Sequence, residues 1–160
     1  MASSKKRLAV LSARTVHTSS GQTIAAMRLW VALAFSRQGG ARHLRKCLLD
    51  TGAPLSVVPY SVHHAQNLTW QALPGPWPPG FTSWLGVPCA IGRMEVWAPD
   101  PQASRFHGPW MFIAKFALAT PANQPPNLPV LLGLNFLADH HADTRFRCHA
   151  TGTTGSILIP

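Results

Sequence analysis

Residues 46–58 read KCLLDTGAPLSVV, and they decide how the rest of the chain is understood. An apolar pair, Leu48-Leu49, delivers Asp50 into Thr51-Gly52, with Ala53 and Pro54 behind it and a second apolar run from Val57. A carboxylate at the tip of a buried strand and ahead of Thr-Gly sits on a tight loop, where neighbouring backbone N–H groups can hydrogen-bond and orient it. The chain has only five acidic residues, so one placed directly behind an apolar strand is a poor core choice and asks for a reason. The bland alternative makes Asp50 a turn cap, with Gly52 in the left-handed region and Ser56 capping a short helix.

Outward from this stretch, the composition is that of one globular domain. A chain of 160 residues can bury enough apolar surface to fold without disulfides or metal. It is 46% hydrophobic and only 12% charged, and its 15 prolines and 12 glycines favour many turns and short strands over long helices. A mainly β domain is expected over residues 24–160, preceded by a basic, Ser/Thr-rich segment, residues 1–23, read as a flexible arm or an edge strand. Residues 27–36 (MRLWVALAFS) and 43–49 read as a hairpin joined at Gln38-Gly39-Gly40. Residues 83–97 (SWLGVPCAIGRMEVW) read as two short strands near Gly86 and Gly92, and residues 110–119 (WMFIAKFALA) as a buried strand. Proline-rich links at 73–80, 99–109 and 121–129 separate them.

Several function classes fall away. The net charge of +9 suits an anionic partner, but apart from Lys5-Lys6-Arg7 the basic residues are scattered singly, so nucleic acid is not the expected partner. The longest apolar segment, 24–35, contains Arg28 and falls short of a membrane span, so no membrane partner is expected. Cys47, Cys89 and Cys148 form no C-x-x-C pair, which favours reduced thiols and a cytoplasmic protein. His63-His64 and His140-His141, with Asp139 and Asp143, show no H-E-x-x-H spacing. They read as surface histidines, and neither metal nor cofactor is expected. Cys89 reads as a small buried hydrophobe, or as a reactive thiol if it lies on a mobile hairpin. Trp70, Trp77 and Trp110 read as packing or pocket walls.

A second run repeats the plan of the first: residues 128–137, LPVLLGLNFL, form an apolar strand that ends at Gly133 and leads into a segment of helical character. The pairing of LLDTGA with this downstream VLLGLNFL resembles the retropepsin-like aspartic protease family, over roughly residue 27 to the C-terminus. The resemblance implies an acid-protease barrel with one short helix after the second motif and half an active site per subunit. It implies that Asp50 is catalytic, that Thr51 links the two active-site loops across a dimer, that Gly52 permits the turn and that Ala53 completes the loop. It further implies that residues 130–133, with Leu132 and Gly133, thread beside that loop, and that a short helix begins near Asn135. Retropepsins close a hairpin flap over substrate; the matching stretch is residues 84–92, with Gly86 at the tip and Trp84, Val87 and Ile91 as apolar wall. Viral members carry an Arg just after the second-motif glycine and an acid shortly after DTGA. Here those sites are Leu134 and Pro54, so both ends of the ion pair are missing together and no buried charge is stranded.

The chemistry needs two carboxyl groups about 3 Å apart sharing one proton, because like charges so close cannot both ionise. No second Asp-Ser/Thr-Gly exists: Asp100 precedes Pro101, Asp139 precedes His140 and Asp143 precedes Thr144. The expectation is therefore an endopeptidase acting on extended polypeptide as a twofold homodimer with one Asp50 from each subunit. The competing class is a non-catalytic dimerisation or peptide-binding module of the same fold.

Overall fold

The computed structural model describes residues 6–100, 102–125, 127–149 and 152–160. It is mainly β. Strand β1 (Lys6–Ser19) and β2 (Gln22–Ser36) form a long hairpin, turned by Ser20 and Gly21, both at positive φ. β3 (Arg42–Leu49) returns antiparallel to β2 around Gly39 and Gly40, whose φ values of 90° and 85° suit residues without a Cβ. Then follow β4 (Ser56–Val58), the single-turn helix α1 (Tyr60–His63), β5 (Gln71–Ala72), β6 (Ser83–Trp84), β7 (Val87–Pro99) and β8 (Phe106–Ala117). β9 (Val130–Leu132), helix α2 (Leu134–Asp139), β10 (Asp143–His149) and β11 (Gly152–Ile159) complete the chain.

The strands close on themselves. The order β2–β3–β9–β4–β8–β7 returns to β2, because β7 also pairs with β2 at Ala34↔Trp97 and Phe35↔Val96. This ring is a barrel, filled by Val31, Leu33, Phe35, Cys47, Leu49, Val58, Met94, Val96, Phe112, Phe116, Val130 and Leu132. Closure leaves no open edge within the ring itself. β1, β11 and β10 extend the sheet beyond β2. Of residues 6–19, within the segment expected as an arm or an edge strand, 6–10 pair with β11 and 10–19 with β2. The C-terminal strand thus pairs within its own sheet.

Three readings of the sequence require correction. Residues 83–97 do form two strands that meet at Leu85-Gly86, but only one is short: β6 is two residues long, whereas β7 runs for 13. Gly92 lies inside β7, where an added Cβ would fall 2.5 Å from Cε3 of Trp70; the glycine makes room for the indole, which stacks on Phe116 at 4.2 Å. Ser56 caps no helix but opens β4, fully buried. His63 is not a surface histidine. It is buried among Tyr60, Trp70 and Phe116, and its Nε2 donates to the Ala117 carbonyl at 2.7 Å. Burial lowers its pKa, only partly offset by that bond.

Candidate active site

The placement of Asp50 follows from the strand order. β3 and β4 are consecutive in the chain, yet β9 lies between them, parallel to β3 and antiparallel to β4. The loop from β3 to β4 must therefore arch over the end of β9, and residues 50–55 are that arch. Its backbone is tied down on both sides. Asp50 N–H donates to the Leu132 carbonyl at 3.0 Å, Ala53 N–H to the Asp50 carbonyl at 3.2 Å, and Leu134 N–H to the Ala53 carbonyl at 2.9 Å.

The glycines of the two motifs act through space, not through unusual backbone. Gly52 is not among the positive-φ residues, which corrects the left-handed reading. Its N–H donates to Asp50 Oδ1 at 3.0 Å, and an added Cβ would stand 3.3 Å from that oxygen. Gly133 is more constrained: a Cβ there would lie 2.7 Å from the Ala53 carbonyl oxygen and 2.8 Å from the backbone of Leu55 and Ser56. Only glycine lets the second motif press this closely against the first.

Beneath the arch lies a polar buttress that composition and spacing did not reveal. Asn135 Oδ1 accepts from the Ser56 N–H at 2.7 Å and from its hydroxyl at 2.8 Å. Ser56 Oγ in turn accepts from the Gly133 N–H at 2.9 Å, and Asn135 Nδ2 donates to the Ile113 carbonyl of β8 at 2.8 Å. One side chain at the start of α2 thus holds β4, the second-motif glycine and β8 in register. Such a network is rigid when every member is satisfied. The available signal was a polar residue after each motif, at Ser56 and Asn135, inside otherwise apolar runs.

The result is a half-buried Asp50 with exposed Thr51 and Gly52 beside it. Leu134, where viral members carry Arg, is 45% exposed next to exposed Pro54. Asp50, Gly52, Ala53, Leu132 and Gly133 thus converge on one arch. The hairpin candidates gather elsewhere. Trp84 pairs with Val87 across a two-residue turn in which Leu85 and Gly86 have φ of 49° and 80°, the geometry that matches strand twist in tight hairpins. Val87 and Ile91 are buried, Trp84 is half-buried and Gly86 is exposed. Val87 and Trp84 pack with Cys89, Ala117 and Tyr60 in a small satellite core. Among the described residues no hydrogen bond joins this hairpin to the Asp50 arch within one chain.

The remaining candidates have structural surroundings. Cys47 and Cys89 are free and buried; burial raises both thiols, Cys47 to about 12, so neither is poised as a nucleophile. The side chain of Cys148 lies outside the described set. Trp110 packs against the core, whereas Trp77 is exposed. Among the described residues no three His, Cys, Asp or Glu gather as a metal site, and no helix is long and apolar enough to cross a membrane. Compared with known proteins, the chain matches no family model and no curated protein sequence.

Proposed function

We propose that the chain is one subunit of a homodimeric aspartic endopeptidase of retropepsin type, with Asp50 as its catalytic carboxyl. The observation that carries this reading is the arch itself. Asp50 is anchored by its own N–H to Leu132, while the residues beside its carboxylate, Thr51 and Gly52, face outward. An acid so held is preorganised and open to a second copy approaching along a twofold axis. Across that axis the two Asp50 carboxyls share one proton. The ionised member takes a proton from water as it attacks the scissile carbonyl, and the protonated member donates to the carbonyl oxygen. The exposed Leu134 and Pro54 give the same face an apolar margin. The 83–88 hairpin is the flap of this reading, binding extended peptide by backbone pairing. Cytoplasmic residence belongs to the same proposal and rests on the free thiols of Cys47 and Cys89.

The test is Asp50→Asn, assayed on extended peptides with an apolar residue at the cut and controlled with a pepstatin-type inhibitor, alongside mass measurement in solution. Loss of cleavage with the dimer retained supports the proposal. Unchanged cleavage by the Asn variant, or full activity from a species of monomer mass, defeats it. A dimer inert with Asp or Asn alike selects the non-catalytic module.

A further inference from the structure

The segment leading into the 83–88 hairpin has little to hold it. Residues 74–83 are all exposed, and Pro74, Pro76, Pro78 and Pro79 supply no backbone donor. Its backbone is fixed by Phe81 N–H to the Pro78 carbonyl at 3.1 Å and, beyond it, Cys89 N–H to the Thr82 carbonyl at 2.8 Å. The strongest additional restraint comes from a side chain far away in sequence. Lys115 Nζ on β8 donates to the Gly80 carbonyl and to the Ser83 carbonyl, the latter at 3.1 Å, and stands 5.8 Å from the Phe81 ring centroid. Among the described residues Lys115 makes no ion pair. Its ammonium therefore uses two of its three donors on the carbonyls that bracket Phe81 and Thr82.

The location of Lys115 gives this contact its meaning. Lys115 is the register partner of Val57 on β4 and of Ile91 on β7, and two residues earlier on β8 the Ile113 carbonyl receives Asn135 Nδ2. One strand thus carries both the buttress of the Asp50 arch and the anchor of the hairpin's base. We infer that Lys115 is a positioning residue that tethers the base of the 83–88 hairpin to β8 and so sets where the hairpin lies over bound polypeptide. The second half of that statement rests on the peptidase reading; the tether itself does not.

Lys115→Met keeps the length of the side chain and removes its donors, and Lys115→Arg keeps the cation. Hydrogen exchange on the full chain should quicken at the Phe81 and Cys89 amides by roughly tenfold in K115M, with the barrel amides of Val31 and Phe112 unaltered. K115R should restore protection. In peptide cleavage, K115M should raise KM by roughly three- to tenfold with little change in kcat, since a misplaced hairpin loses binding common to ground and transition states. Unaltered exchange at Phe81 and Cys89 in K115M overturns the tether, as does acceleration spread evenly through the barrel, which is mere loss of stability. If the unmodified chain cleaves nothing, the peptidase reading fails, and the exchange measurement still decides the tether by itself.

Discussion

Asn135→Ala tests the buttress beneath the acid most directly. The substitution removes the acceptor for the Ser56 N–H and hydroxyl and the donor to the Ile113 carbonyl, bonds of 2.7, 2.8 and 2.8 Å. A buried polar group left without a partner costs about 1–3 kcal/mol. Ser56 is fully buried, but Asn135 is only half-buried, so water can reach part of the space it vacates. The lower end of the range, applied to each orphaned group, gives a loss of about 3 kcal/mol. In a domain of this size each kcal/mol moves Tm by about 2–4 °C, so a fall of about 6–12 °C is expected in thermal unfolding followed by circular dichroism. Asn135→Asp separates the two halves of the network. It keeps the acceptor for Ser56 and turns a carboxylate oxygen toward the Ile113 carbonyl, a clash relieved when that oxygen is protonated. Its deficit should therefore shrink as pH falls. Ser56→Ala shares bonds with Asn135→Ala, so the double variant should lose less than the sum of the singles. A loss below about 1 kcal/mol for Asn135→Ala, or full additivity with Ser56→Ala, would refute the network as the support of the arch.

Gly133→Ala places a Cβ against backbone atoms of Ala53, Leu55 and Ser56 at 2.7–2.8 Å, and overpacking of this kind costs about 1–3 kcal/mol; urea unfolding should show that loss together with the disappearance of any cleavage. His63 gives the fold a pH dependence of fixed sign. Its folded pKa is lowered from 6.5 by burial, so the unfolded chain takes up the proton first, and stability is complete above that value and declines as pH drops through it. His43 is lowered as well, by burial and by the charges of Arg45 and Arg37, and acts in the same direction. His63→Gln should therefore flatten, without abolishing, the slope of unfolding free energy between pH 7 and 5. A slope unchanged by the substitution excludes His63 as its source.

What could be read before folding was local. The Gly39-Gly40 turn, the β-rich character and the strand that runs into Asp50 each depend on a few neighbouring residues, and each is where the reading placed it. What escaped depends on distant partners. Nothing within residues 83–97 announces that Gly92 faces the indole of Trp70, so the glycine read only as a place of backbone freedom near short strands. His63 read as one of several surface histidines in a chain rich in His and Arg, and only the arrival of Phe116 and the Ala117 carbonyl from β8 encloses it. The convergence of Asp50, Leu132 and Gly133 was suggested by two similar apolar runs, but the bond between Ser56 and Asn135 joins residues 79 apart, and the second bond of Asn135 and the tether of Lys115 both involve β8, a strand that neither run contains.

The slot that β9 fills between β3 and β4 has a bearing on biosynthesis. A ribosome releases Asp50 long before it releases Leu132 and Asn135, so the nascent chain carries its acid without the carbonyl that later holds it or the amide that later braces Ser56 at the end of its loop. Pairing of strands so distant in the chain is slow, because the intervening segment must first be gathered in. The carboxyl thus stays unplaced until the strand of the second motif has followed it out, and whatever work it performs waits for that pairing.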